Sequence, residues 1–148
     1  MKTIVLFYTF GGSTKAKAQE IAKERQATLC EVEEIKNRGV FSALFSGCPK
    51  ASSRKASKIK PISCDLTEYD RIVIGGPIWA GYPAPALNAI LELLPSGKEV
   101  EIFLCSGGGE ARKSVEGTKD MIAQKGCKLI SYSDIKTGQG MKKQKKSK

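Results

Sequence analysis

The sequence predicts an α/β protein, a parallel sheet covered on both faces by helices. Three observations predict it. An unbroken apolar run from Thr3 to Tyr8 ends abruptly in Thr9-Phe10-Gly11-Gly12-Ser13-Thr14, and the same design recurs at Asp70 to Gly76 and at Val100 to Cys105, each run again meeting glycines. The stretches between these runs carry helical periodicity. A continuous run of β-branched and aromatic residues suits a strand buried on both faces, as central parallel strands are. Strands that alternate with helices then build a layered domain through right-handed crossovers.

Taken in order, Thr3 to Tyr8 is the first strand, and Lys15 to Gln26, with Ala18, Ile21 and Ala22 on one side, is a helix packed closely on the sheet. Leu29 to Ile35 alternates in polarity, which predicts a more exposed strand at or near an edge. Residues 36–68 are irregular: a short helix over Val40 to Phe45, then a Ser/Lys/Arg-rich segment. Asp70 to Gly76 is the next buried strand, and Ile78 to Pro83 is expected to be a loop on its Gly and Pro content. Pro85 opens a helix carrying Leu87, Ile90, Leu91 and Leu94. Val100 to Cys105 is a strand, a helix follows with Val115, Met121 and Ile122, and Gly126 ends it. Cys127 to Tyr132 is the last strand. The expected division is a domain over 1–139 and a disordered, Lys-rich tail over 140–148.

A chain of 148 residues fits one domain with a sizeable core. The net charge of +10 suggests nucleic acid until it is located. Setting aside Lys50, Arg54, Lys55, Lys58 and Lys60 and the five lysines of the tail leaves 15 basic residues against 15 acids. The excess therefore sits in two patches; the tail reads first as a solvated, solubilising terminus, with an acidic protein partner or nonspecific polyanion binding as the other readings. Cysteines stand at 30, 48, 64, 105 and 127 with no Cys-x-x-Cys and no histidine, so neither a zinc site nor a complete disulfide framework is indicated. A reducing cytoplasm is the expected home. No apolar stretch is long enough to span a bilayer.

In parallel sheets of this kind ligands sit beyond the carboxyl ends of the strands, where strand order reverses. Three such ends carry loops of differing chemistry. Thr9, Phe10, Gly11, Gly12, Ser13 and Thr14 offer hydroxyls and backbone N–H groups at a helix start, a seat for a phosphate. Pro77, Ile78, Trp79, Ala80, Gly81 and Tyr82 offer aromatic faces, and Ser106, Gly107, Gly108 and Gly109 offer open backbone. Together they suit a molecule with a phosphate at one end and a flat ring at the other, which is the shape of FMN.

Here the sequence resembles the flavodoxin family, specifically its small single-domain members, across residues 2–138. Tyr8 to Thr14 is similar to the family's phosphate loop, with Gly11 where Thr is commonest, Gly76 to Pro85 to a flavin-contacting loop, and Ser106 to Gly109 to the third flavin loop. The resemblance implies a flavodoxin-like three-layer sandwich with a five-stranded parallel sheet in the order 2-1-3-4-5. It also implies FMN, and an electron-transfer protein without catalytic side chains that serves redox partner proteins as a monomer or weak dimer. An FMN-dependent NAD(P)H:quinone-type oxidoreductase is the alternative, and a flavin-free module for an acidic partner the second. Family electron carriers are commonly acidic, and this chain is basic. Two other readings fall: Cys48 to Arg54 has phosphatase-loop spacing but lies outside any strand-to-helix turn, and a magnesium-dependent receiver needs acids where Thr9 and Gly75 stand.

Overall fold

The computed structural model describes residues 1–10, 12–35, 58–79, 82–106 and 115–136. Its parallel strands are β1 (Thr3–Phe7), β2 (Thr28–Glu31), β3 (Arg71–Trp79), β5 (Glu99–Ser106) and β6 (Lys128–Lys136), in the order β2-β1-β3-β5-β6. A two-residue strand, β4 (Tyr82–Pro83), pairs antiparallel with the end of β3. Apart from that hairpin the order is the expected 2-1-3-4-5, so the sheet has one short strand more than the sequence suggested.

Period-two alternation sends successive side chains of each strand to opposite faces, and here both faces are apolar. Ile4, Leu6, Ile72, Ile74, Val100, Ile102 and Leu104 meet helices α2 (Pro85–Glu92) and α3 (Val115–Gln124) through Leu87, Ile90, Leu91 and Ile122. Val5, Phe7, Val73, Phe103 and Cys105 meet helix α1 (Ser13–Arg25) through Ala18 and Ala22. Alanine at those two positions brings α1 close to the sheet. α2 is the more deeply set helix: every residue from Pro85 to Leu91 is buried.

Three sequence expectations need correction. Ile78 to Pro83 is not simply a loop: β3 continues through Trp79, and Ile78 pairs with Pro83 and Trp79 with Tyr82. The glycines and prolines that signalled a loop are accommodated because Pro83, on a two-residue outer strand, needs no further ladder partner. The second strand is shorter than Leu29 to Ile35. Its alternation is real, with Cys30, Val32 and Glu34 buried, but residues 33–35 leave β1 and run beside 58–60 through Ile35 N–H to Lys58 O (3.0 Å) and Lys60 N–H to Glu33 O (2.8 Å). The last strand extends to Lys136, because β5 reaches Ser106 and offers it a partner along that length. The helix expected over Val40 to Phe45, the Cys48 to Arg54 stretch and the tail over 140–148 lie outside the described residues.

Candidate functional site

The parallel register brings three chain exits onto one row. Phe7 stands opposite Gly75, and Gly75 opposite Phe103; two residues further along, Pro77 stands opposite Cys105. β1 therefore gives way to Thr9, β3 to its hairpin and β5 to Ser106 at nearly the same height on adjacent strands. Tyr8 N–H to Gly75 O (3.0 Å) holds the first exit against the second.

The first exit is shaped by Gly12, whose φ of 98° lies in the left-handed region that side-chain-bearing residues rarely adopt. Gly12 N–H donates to Thr9 Oγ1 (3.1 Å), closing the turn, and Ala16 N–H donates to Gly12 O (3.2 Å), starting α1. No side chain caps α1 and its first turn holds no acid. A helix start of this kind leaves N–H groups and the positive end of the dipole directed at the loop. Ser13 is half-buried, whereas Thr14 is buried at 2% exposure. At the end of β5, burial pushes the Cys105 thiol up, and the nearby Thr14 hydroxyl and the Lys17 charge pull it back. Phe10 is partly exposed at the loop tip.

The second exit is rigid for a packing reason. A Cβ on Gly75 would enter the Phe103 ring, and one on Gly76 would enter the Leu87 side chain. Large residues from opposite faces thus close over the strand where it approaches the site. Beyond them the hairpin sets Trp79 and Tyr82 as Cα partners, and Ala84 N–H to Pro77 O (3.0 Å) fixes its base. Behind the first exit, Tyr8 donates its hydroxyl hydrogen to Glu34 Oε1 (2.7 Å) in the core.

No family model matches the chain. By sequence it is 24% identical over 130 residues to an uncharacterised protein of Archaeoglobus fulgidus, which covers 88% of this chain and 82% of the relative. Among solved structures it is similar to a flavoprotein of Lactobacillus acidophilus NCFM in complex with FMN, at 25% identity and a TM-score of 0.77, covering 95% of this chain and 97% of that one. The apo form of the flavoprotein from the same organism matches at 28% identity and a TM-score of 0.66, over 90% and 92% of the two chains. A flavodoxin, WrbA-like protein of Agrobacterium tumefaciens shares the fold at 17% identity and a TM-score of 0.56, over 88% and 77%. The chain is flavodoxin-like.

Within this flavodoxin-like frame, Thr9, Phe10, Gly12, Ser13, Thr14, Pro77, Ile78 and Tyr82 are placed along the carboxyl rim, as are the backbones of Trp79 and Ser106. Gly11, Ala80, Gly81, Gly107, Gly108 and Gly109 lie outside the described residues. Sequence reasoning missed the pairing of Tyr8 with Glu34. The alternation of 29–34 puts Glu34 on the buried face, and a buried acid demands a donor, so the signal was present. It also set Gly76 at the head of the flavin-contacting loop, whereas the lack of a Cβ at Gly75 and Gly76 is used by Phe103 and Leu87. Among the described residues no helix is long and apolar enough to cross a membrane.

Proposed function

We propose that the chain binds FMN along this rim and serves as an electron carrier. The observation that carries the reading is the single row of exits from β1, β3 and β5, one of which opens an uncapped helix start without acids. The residues present fit the group. The α1 start suits the phosphate, with Lys15 and Lys17 rather than carboxylates in its first turns. The hairpin brings the Trp79 and Tyr82 positions to the second exit, where a ring system would lie, and the third exit supplies backbone to its polar edge. The redox chemistry is the flavin's own; the chain positions it, limits water and offers hydrogen bonds. The Gly12 N–H to Thr9 Oγ1 bond fixes the turn before α1, and the backbone N–H groups at the helix start would hold the phosphate. The partners that fit the basic patches are acidic redox proteins, met transiently.

The test is a titration of the purified full chain with FMN, followed by flavin fluorescence and melting temperature. Quenching that saturates at about one FMN per chain, with a raised melting temperature, is expected. The chemically reduced complex should then pass electrons to an acceptor protein without consuming NADH or NADPH. No quenching and no shift would remove the flavin; rapid NAD(P)H turnover onto a quinone would replace the carrier by the oxidoreductase.

A further inference from the structure

A buried acid holds the root of the Gly12 turn from the face of the sheet opposite α1. Tyr8 follows Ile4 and Leu6 into the larger core cluster, whereas Val5 and Phe7 face Ala18 and Ala22 of α1. Its hydroxyl donates to Glu34 Oε1 at 2.7 Å, with Tyr8 5% and Glu34 7% exposed. A buried carboxyl and a buried hydroxyl are each costly to leave without a partner, so the two are held together by what separation would strand. Glu34 is itself fixed. Its backbone bridges to Ile59, which packs against the same cluster, and two residues earlier Val32 N–H donates to Phe7 O (2.7 Å). The acids beside it reach outward, Glu31 to Lys15 Nζ on α1 at 3.6 Å and Glu33 to Lys60 Nζ at 3.7 Å.

We propose that Glu34 is a positioning residue for the phosphate end of the site, acting through Tyr8, on the reading that the start of α1 seats the FMN phosphate. A continuous run of contacts leads from one to the other. Tyr8 is followed directly by Thr9, Thr9 Oγ1 accepts from Gly12 N–H (3.1 Å), and Gly12 O accepts from Ala16 N–H (3.2 Å). The Tyr8 backbone is held to Gly75 O (3.0 Å), and a single bond to the neighbouring strand leaves the chain free to rock about it. The ring, anchored at its far end by Glu34, removes that freedom. Thr9 is thereby set before a ligand arrives, and with it the N–H groups at the helix start, so less ordering has to be done on binding. Glu34 acts from the core, without contact to the ligand, and its influence falls on the phosphate end rather than on the ring end of the site.

The experiment compares the full-length wild type, Tyr8→Phe and Glu34→Gln in two ways: titration with FMN and with riboflavin, which lacks the phosphate, and amide hydrogen exchange of the ligand-free chain read by NMR. Tyr8→Phe removes the donor and keeps the ring, so FMN should bind about fivefold more weakly while riboflavin affinity is unchanged. Exchange at Gly12 and Ala16 should quicken while the amides within α2 stay as slow as in wild type. Glu34→Gln keeps an acceptor oxygen for the Tyr8 hydroxyl, and should keep both the FMN affinity and the slow exchange. Equal losses of FMN and riboflavin affinity, faster exchange throughout the chain, a Glu34→Gln protein as weak as Tyr8→Phe, or no change in either measurement would each overturn the positioning role. A wild type that binds no FMN would remove the flavin instead, and exchange at Gly12 and Ala16 would still decide whether Glu34 holds the turn.

Discussion

Helix α1 has two ends that the chain treats in opposite ways. At its C-terminal end Arg25 forks onto Glu101 through Nη1 to Oε2 (2.6 Å) and Nη2 to Oε1 (2.9 Å), and Arg71 joins from β3, reaching Glu101 Oε2 at 3.3 Å and Glu99 Oε1 at 2.7 Å. Lys23 and Arg25 also match the negative end of the helix dipole. At its N-terminal end there is no cap and no acid, and the turn is made by a left-handed glycine. One end is answered by side chains from the sheet; the other turns the positive end of the helix dipole toward the carboxyl rim. In a parallel sheet these ends lie on opposite rims, so the same helix is anchored at one rim and available for binding at the other. The comparison separates residues whose loss should cost stability from those whose loss should cost affinity.

The harshest way to break it is at the point where the two roles meet, in the glycines of β3 just before the site. Gly75→Val would drive a branched side chain into the Phe103 ring on the α1 face. Overpacking of this severity should lower unfolding free energy by roughly 3 kcal/mol or more, read as a reduced denaturant midpoint. A normal midpoint with FMN binding abolished would instead assign Gly75 to the ligand.

Glu101→Gln tests the anchored rim. Glu101 is 8% exposed and answers two guanidiniums, so its neutralisation should cost about 2 kcal/mol, allowing for the partial exposure of both arginines. FMN affinity should not change. The hydrogen bond from Arg25, above all, holds the Glu101 carboxyl below its usual range, against the opposing effect of burial. A carboxyl lowered on folding contributes its full stabilisation above its ordinary value of about 4.3 and loses it as pH falls through the lower folded value. The stability gap between wild type and Glu101→Gln should therefore be full near pH 6.5 and shrink in acid. A gap that stayed constant down to pH 2 would remove Glu101 from that role.

What could be read from residues alone follows the same division. The buried strands were legible because Ile4 to Phe7, Ile72 to Ile74 and Ile102 to Leu104 are apolar on both faces, a pattern that suits a covered parallel strand, and each run ends in glycines or a Gly-rich loop. The first loop was legible because Gly11-Gly12 interrupts the apolar run at the start of a helix, and Gly12 does take the left-handed conformation that glycine favours. The β3–β4 hairpin was not, because two residue pairs flanking Ala80-Gly81 leave too little alternation to outweigh glycine and proline. The Arg25–Glu101–Arg71 cluster was hidden because its members come from three elements, 76 residues apart in one pair and 30 in another. Charge alone cannot tell such a cluster from a solvated face. The pairing of residues 33–35 with 58–60 was hidden likewise, since one partner sat in a segment too basic to suggest any contact; Lys60 in fact lies 3.7 Å from Glu33.

The mildest substitution sharpens the comparison most. Gly12→Ala adds a single methyl where nothing lies within 4 Å, so no clash arises and only the backbone is perturbed. Holding alanine at a φ of 98° should cost about 1 kcal/mol in stability, less than Glu101→Gln costs. The effect on binding should be the larger of the two: relaxation toward negative φ turns the Gly12 N–H away from Thr9 Oγ1 and splays the donors of the first turn. A lost net interaction with a phosphate of about 1.4 kcal/mol corresponds to tenfold weaker FMN binding in a fluorescence titration. Glu101→Gln and Gly12→Ala would then move in opposite senses, one in stability with affinity kept, the other in affinity with most stability kept. If Gly12→Ala bound FMN as tightly as wild type, the start of α1 would not be the anion seat, and the asymmetry between the two ends of the helix would have to arise from packing alone.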